Sequence, residues 1–367
     1  MNRSVFSLMA VVIIATSLYE LYAAMPLLMP ALFALSLAGL LSRLAWLARR
    51  ARGRGDAGAL IGFDRLRKKS LAGRAAWIKE NLRGHDAAVD RVVARLSQGL
   101  AVAAGNRTLG AFLLVGPTGT GKTFLGELTA KALYPDSEPV LLRMNQYKGP
   151  QDVFTLIGPP PGYQGDEVGG ALTRPLLDNP YRVVILDEFE KSHGDVRHCL
   201  YDILDRAQCP EKSSGKTVHF SAAAFFATCN VGVESLRSIW GETEDPVMRT
   251  GRAREALVRE GFERPLLARF DEILLMDQLR PVDVAEVACL TIARHWRRYG
   301  IEVSYTAPEV LVEALRRNVE FQDYGVRQLA RLISELTNES IEAARREGVK
   351  RVRLDLDRAT GRVTVSR

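Results

Sequence analysis

Eight consecutive residues, Gly116-Pro117-Thr118-Gly119-Thr120-Gly121-Lys122-Thr123, fit the pattern G-x-x-x-x-G-K-[ST] in full. These are residue types that hold phosphate. The glycines let backbone N–H groups turn toward an anion, and the N-terminus of a following helix adds partial positive charge. Lys122 is placed to hold the β- and γ-phosphates, and the Thr123 hydroxyl is placed to reach Mg²⁺. A second constellation is the pair Asp187-Glu188, which closes the apolar run Tyr181–Leu186. There Asp187 can hold a metal ion directly or through water, and Glu188 can orient and deprotonate an attacking water. A third candidate is Asn230, after the run Ala222–Thr228. An Asn at a strand end beside a phosphate site can polarise the lytic water, although alone it reads equally well as a turn residue.

These groups need a scaffold, and the hydrophobic pattern supplies one. Ala111–Val115 reads as a strand ahead of the phosphate loop, and Phe124–Leu133 as a helix behind it. Further strands are expected at Pro139–Met144 and at Tyr181–Glu188, the latter apolar enough to be covered on both faces. Before them, Gly84–Asp90 opens a helix to about Ala104, with Val89, Val92, Val93, Leu96 and Leu100 recurring at three and four. Gly158-Pro159-Pro160-Pro161-Gly162-Tyr163-Gln164-Gly165 is too rich in Gly and Pro for a regular element, and it sets Tyr163 between glycines. After Leu279-Arg280-Pro281, three helices are expected at about Val282–Tyr299, after Pro308, and at about Val326–Arg346, followed by a hairpin of Arg351–Leu356 and Arg362–Val365. The result is an α/β nucleotide-binding domain over 80–280 and a small α+β lid over 281–367.

The chain has 367 residues and a net charge of +7, unevenly placed. Residues 1–83 hold thirteen of the 50 basic side chains and four of the 43 acidic ones, so the remainder is slightly acidic. A nucleic-acid surface is therefore not expected, and Arg294, Arg297, Arg298, Arg316 and Arg317 read as solvated helix faces. The cysteines Cys199, Cys209, Cys229 and Cys289 form no C-x-x-C pair and suggest neither a disulfide framework nor a zinc site.

Between positions 4 and 42 the only charged residue is Glu20. A spanning helix needs roughly 20 apolar residues, so residues 1–48 are expected to form a membrane anchor. Two spans fit, at about 4–22 and 27–48. Arg3 precedes the first, and Arg43, Arg49, Arg50, Arg52 and Arg54 lie at or after the end of the second. Positive charge on both flanks favours a hairpin with both ends in the cytoplasm. Residues 49–79 read as a basic linker able to lie against anionic lipid headgroups.

From Gly84 onward the chain resembles the C-terminal ATPase module of the Clp family of AAA+ unfoldases. Gly84-His85-Asp86-Ala87-Ala88-Val89 is similar to the family's entry box near the adenine. Leu156–Gly165 is similar to its first pore loop, and Leu186-Asp187-Glu188-Phe189-Glu190-Lys191-Ser192-His193 to its Walker B box. Gly215–Phe220 follows at the family's spacing. Phe262–Glu272 resembles the arginine-finger segment, and Tyr324-Gly325-Val326-Arg327 the sensor 2 box. The resemblance implies a three-layer AAA+ P-loop fold with a parallel sheet, ATP and Mg²⁺ as cofactors, and a homo-oligomer, normally a hexamer. It implies roles for Lys122 and Thr123 on nucleotide and metal, Asp187 on the metal, Glu188 on water, Asn230 as sensor 1 and Arg327 as sensor 2. It also implies that Arg269 reaches a neighbouring subunit's site and that Tyr163 grips a protein substrate in a central channel. Gly194, Gln164 and Arg206–Ser214 depart from the family pattern, which bears on grip and substrate preference more than on hydrolysis. The Ile-Gly-Phe/Leu tripeptide that docks a peptidase is missing from Val231–Arg264, so a peptidase partner is not expected. The leading expectation is a membrane-anchored, ATP-driven protein remodeller at the cytoplasmic face of a bacterial inner membrane. The alternative is an ATP-dependent assembly switch or scaffold that threads nothing.

Overall fold

The computed structural model describes residues 71–102, 107–163, 167–319, 325–357 and 360–366, with only the backbone of 71, 72, 102, 317–319 and 325–328. The expected membrane anchor at 1–48 lies outside the described residues. Among those described, no helix is long and apolar enough to cross a membrane.

Five strands form a parallel sheet in the order β2-β3-β6-β1-β7: β1 Gly110–Val115, β2 Val140–Arg143, β3 Val183–Asp187, β6 Ala224–Cys229 and β7 Glu272–Leu275. Each apolar run predicts its strand, because a parallel strand covered on both faces has no solvent side to mark with polar residues. Alternate residues feed two cores. Phe112, Leu114, Ile185 and Phe226 pack against α1 Leu71–Asn81, α2 Asp86–Val102 and α3 Lys122–Leu133. Leu113, Val115, Leu186, Phe225 and Ala227 pack on the other side against α4 Asp152–Ile157, α5 Thr173–Asp178, α6 Gly194–Arg206, α7 Val233–Glu242, α8 Pro246–Arg259 and α9 Arg264–Leu267. The expected three layers are thus present.

Register aligns the strand ends that carry chemistry. Val115 pairs with Cys229, so Gly116 lies beside Asn230. Leu186 pairs with Ala227, which brings Asp187 to Thr228.

Two parts differ from the sequence reading. The basic stretch expected to run as linker to 79 becomes helical at Leu71. Its Ile78 is buried against the α2 core and Lys79 pairs with Asp90 at 2.7 Å. With Trp77 exposed, Ile78 is the large side chain this Ala/Gly/Arg-rich segment is seen to bury, too weak a stripe to announce a helix. Between Cys229 and Arg264 the chain folds into α7 and α8. Helix α8 starts cleanly because the Asp245 carboxylate accepts from Val247 N at 2.8 Å and Pro246 occupies the first turn.

After Leu279 the chain forms the lid: α10 Pro281–Arg297, α11 Pro308–Val319 and α12 Gly325–Arg346 against a three-stranded sheet. The expected hairpin is β9 Arg351–Asp357 with β10 Arg362–Ser366, and an unanticipated strand, β8 Glu302–Thr306, runs parallel to β9. Trp296, Ile292, Leu329, Ile333, Ile341 and Val352 fill its core. A two-stranded antiparallel hairpin, β4 Gln208–Pro210 with β5 Thr217–His219, stands apart from both sheets.

Candidate functional site

The phosphate loop is held by contacts that only glycine allows. A Cβ at Gly116 would come to 2.0 Å from the Met276 carbonyl oxygen, and Gly119 and Gly121 have φ of 82° and 96°. These are left-handed values that cost an ordinary L-residue about 1–2 kcal/mol. The Thr120 hydroxyl donates to Pro117 O at 3.0 Å, and the buried His85 ring meets Thr120 O at 2.9 Å. Burial pulls the His85 pKa below its ordinary value, opposed by the hydrogen bond to Thr120.

At the start of α3, Lys122 is 6% exposed, and its ammonium has several acceptors. It donates to Gly116 O and Pro117 O, both at 2.6 Å, and to Asn230 Oδ1 at 2.9 Å. Carbonyl oxygens that hold an ammonium here are replaceable by phosphate oxygens, which are stronger acceptors. Beside it, Thr123 Oγ1 donates to Asp187 Oδ1 at 2.8 Å. A hydroxyl and a carboxylate at this separation form an oxygen-only donor set of the kind Mg²⁺ takes, so the residues present fit that ion.

Glu188 has φ 56° and ψ 49°, a left-handed conformation rare for a residue with a Cβ. Strain of this kind persists where the surroundings over-determine it, often at functional sites. Here the Glu188 N–H donates to Thr228 Oγ1 at 3.0 Å, and Thr228 Oγ1 in turn donates to Asp187 Oδ1 at 2.8 Å. The Glu188 carboxylate accepts from Asn145 Nδ2 at 2.7 Å and from Lys191 Nζ at 2.9 Å.

These groups face a cavity of about 470 Å³, a volume typical of small-molecule sites. Its walls are Asn81–Arg83, the phosphate loop, Asp187, Glu188, Thr228 and Asn230, and it is roofed by lid residues including Leu279, Val287, Arg294, His295 and Ala330. Arg294 is exposed, as its sequence context suggested, and it also borders this cavity. Its guanidinium lies 5.1 Å over the Phe124 ring and donates to Asn81 O at 3.0 Å, and burial holds its pKa below the ordinary value.

The structure brings Lys122, Thr123, Asp187, Glu188 and Asn230 together with residues 118–121 of the loop. Gly116 and Pro117 join through the bonds to Lys122. Arg327 lies in the first turn of α12, one helical turn before the cavity-lining Ala330; its side chain is outside the described residues. Arg269 is elsewhere. It is held by Asp205 at 2.6 Å and by the Tyr201 hydroxyl at 3.0 Å, with its guanidinium over the Tyr201 ring. Tyr163 is also remote and 64% exposed. Asn145, Thr228 and Arg294 escape the sequence reading. The only signal for Thr228 is its place two residues before Asn230 on the same strand, and Asn145 follows the end of β2, which neighbours β3.

A sequence profile of the AAA domain (Cdc48 subfamily) matches residues 107–273. That span holds the phosphate loop, both carboxylates, Asn230 and Arg269. The chain carries a Clp-type AAA+ ATPase module. It is 32% identical over 325 residues to the chaperone protein ClpB of Propionibacterium freudenreichii, an alignment that covers 85% of this chain and 35% of that protein. It is 39% identical over 209 residues to ClpB of Rhizobium meliloti, covering 56% of this chain and 23% of that one. To the ATP-dependent Clp protease ATP-binding subunit ClpE of Lactococcus lactis it is 33% identical over 273 residues, covering 72% and 35%. The chain thus spans about a third or less of the length of these curated relatives.

Proposed function

We propose that this chain is one subunit of a homo-oligomer, of the hexameric kind, that hydrolyses ATP to unfold, remodel or extract proteins through a central pore. The observation that carries the reading is the convergence of Lys122, Thr123, Asp187, Glu188 and Asn230 on one cavity beneath the lid. In it, residues Gly116–Thr123 wrap the triphosphate with backbone N–H groups, and Lys122 exchanges its carbonyl partners for phosphate oxygens. Thr123 and Asp187 hold Mg²⁺, which supplies charge neutralisation on the phosphates when bound. Glu188 takes the proton of the attacking water once Asn145 and Lys191 yield its carboxylate. Arg327 reads the nucleotide from the lid. Arg269, seated outside its own chain's cavity, is supplied to the neighbouring subunit.

Tyr163 is the contact for the polypeptide. An exposed aromatic beside a glycine offers apolar contact tolerant of sequence, and its exposure favours threading over a scaffold that threads nothing. Residues 1–48 anchor the assembly in a membrane, with lipid as a further partner and the ATPase module in the cytoplasm. This part rests on the nearly uncharged stretch 4–42. Removing 1–48 should release the protein from the membrane fraction, and a variant that still sediments with membranes contradicts the anchor.

The test of the hydrolytic reading is Glu188→Gln. Loss of the base lowers kcat by about a hundredfold or more while ATP still binds, so the variant holds its polypeptide substrate long enough for identification by mass spectrometry. Turnover at the wild-type rate would show that Glu188 is not the base.

A further inference from the structure

Glu190 is unexplained by the roles above. It lies on the 3₁₀ turn Phe189–Lys191 that follows the strained Glu188. Its Oε1 accepts from the Asn230 backbone N at 3.3 Å and from Asn230 Nδ2 at 3.2 Å. Its Oε2 is buried without a nitrogen or oxygen donor, with the Cys229 thiol as its neighbour, and Glu190 takes part in no ion pair among the described residues. A buried carboxylate with one oxygen unsatisfied costs stability, so packing is a poor reason for its presence. What it does achieve is local. The Asn230 amide is gripped at both ends by opposite charges, its N–H on the Glu190 carboxylate and its C=O on the Lys122 ammonium at 2.9 Å.

A carboxamide that is free to turn can offer either a donor or an acceptor to its site. Those two polarities are not equivalent for hydrolysis. An oxygen facing the cavity accepts a hydrogen from the attacking water and leaves the water's lone pair directed away from it. A nitrogen facing the cavity competes for that lone pair. We propose that Glu190 is a positioning residue for ATP hydrolysis, fixing the Asn230 amide with its oxygen toward Lys122 and the cavity so that Asn230 works as an acceptor. The inference rests on the reading of Asn230 as part of the hydrolytic site.

A double-mutant cycle on the full chain tests it. Asn230→Ala and Glu190→Ala should each lower kcat about tenfold or more, and the double variant should be no slower than Asn230→Ala alone. KM and the affinity for a non-hydrolysable ATP analogue should stay within about twofold, since a positioning role moves kcat and not ground-state binding. A reversed pair covers the case in which Glu190→Ala does not fold. Asn230→Asp alone sets two carboxylates together, and adding Glu190→Gln restores a donor facing an acceptor. The double variant should recover kcat several-fold over Asn230→Asp. If Glu190→Ala turns over at the wild-type rate while Asn230→Ala is slow, or if the losses multiply, or if the reversed pair recovers nothing, Glu190 does not act through Asn230. If Asn230→Ala itself turns over normally, the reading of Asn230 fails, and the inference fails with it.

Discussion

Two loops of this chain share glycine and proline and differ in how they are held. Gly116–Thr123 and Gly158–Tyr163 both combine glycine with proline and a hydrogen-bonding side chain. In the first, the whole loop is pinned: a Cβ at Gly116 would strike the Met276 carbonyl, Thr120 is bonded on both its hydroxyl and its carbonyl, and Lys122 has three acceptors. In the second, the root is tied to another segment, while the tip closes a local turn in which Tyr163 N donates to Pro160 O at 3.2 Å. Lys212 N donates to Ile157 O and Ser213 Oγ to Pro159 O, each at 3.0 Å, and Lys212 Nζ sits 5.0 Å over the Phe154 ring. The turn that does this is itself organised by Glu211, 1% exposed, which accepts from Ser213 N and Ser214 N. Burial pushes that carboxyl up, but the hydrogen bonds from Ser214 and Ser213 outweigh it and hold it below the ordinary value. At the tip, a Cβ on Gly162 would meet nothing within 4 Å, and Tyr163 stands in solvent. A cradle for phosphate has to be rigid before the ligand arrives. A lever needs a fixed root and an end that reaches into solvent.

Substitutions at the glycines separate the two designs. Gly116→Ala has the largest expected effect, because the intruding atom is opposed by backbone and not by a flexible side chain. Nucleotide affinity and turnover should both fall by about a hundredfold or more. A fluorescent ATP analogue measures the first, and binding within threefold of wild type would show that the cradle is not rigid. Gly158→Ala should come next. Its φ is +91° and a Cβ there would lie 2.2 Å from Glu211 Oε1. Strain plus the displaced carboxylate should cost about 2–4 kcal/mol, lowering Tm by several degrees while nucleotide still binds. Gly162→Ala shares the positive φ, +86°, but meets no neighbour. The expected cost is about 1 kcal/mol and a Tm shift of a few degrees at most. Equal shifts at Gly158 and Gly162 would remove the distinction between root and tip.

The smallest effect concerns the brace behind the cradle. Burial lowers the pKa of His85 from its ordinary 6.5. As pH falls below that value the unfolded chain takes up a proton that the folded one refuses, so stability is complete above about pH 6.5 and declines in acid. His85→Gln should reduce the drop in Tm between pH 7 and pH 5 by about 2 °C. An unchanged slope would show that His85 titrates alike in both states.

How much of this is legible in the sequence depends on the length of the signal. Strands β1, β3 and β6 and the phosphate loop are continuous patterns, and they read correctly from residue types alone. Helix α1 and strand β8 are not, since one buried isoleucine or a run of half-exposed residues in Glu302–Thr306 carries too little periodicity. Single polar residues at strand ends are harder still. Asn145, Thr228 and Glu190 become partners of Glu188, Asp187 and Asn230 only through the order β2-β3-β6, which sequence spacing does not specify. Arg294 shows a further limit. It is exposed, as a helix dense in arginine suggests, and its place over Phe124 also makes it part of the cavity wall.

The central claim is that hydrolysis in the rigid loop drives a pull by the one that exposes Tyr163. It is tested most directly by Tyr163→Ala in the full chain, with ATP turnover and unfolding of a fluorescent model protein followed in the same reaction. The account predicts that unfolding falls by about tenfold or more while turnover changes by less than about twofold. Unfolding at the wild-type rate would contradict the account, because the polypeptide would then be gripped elsewhere or not threaded at all.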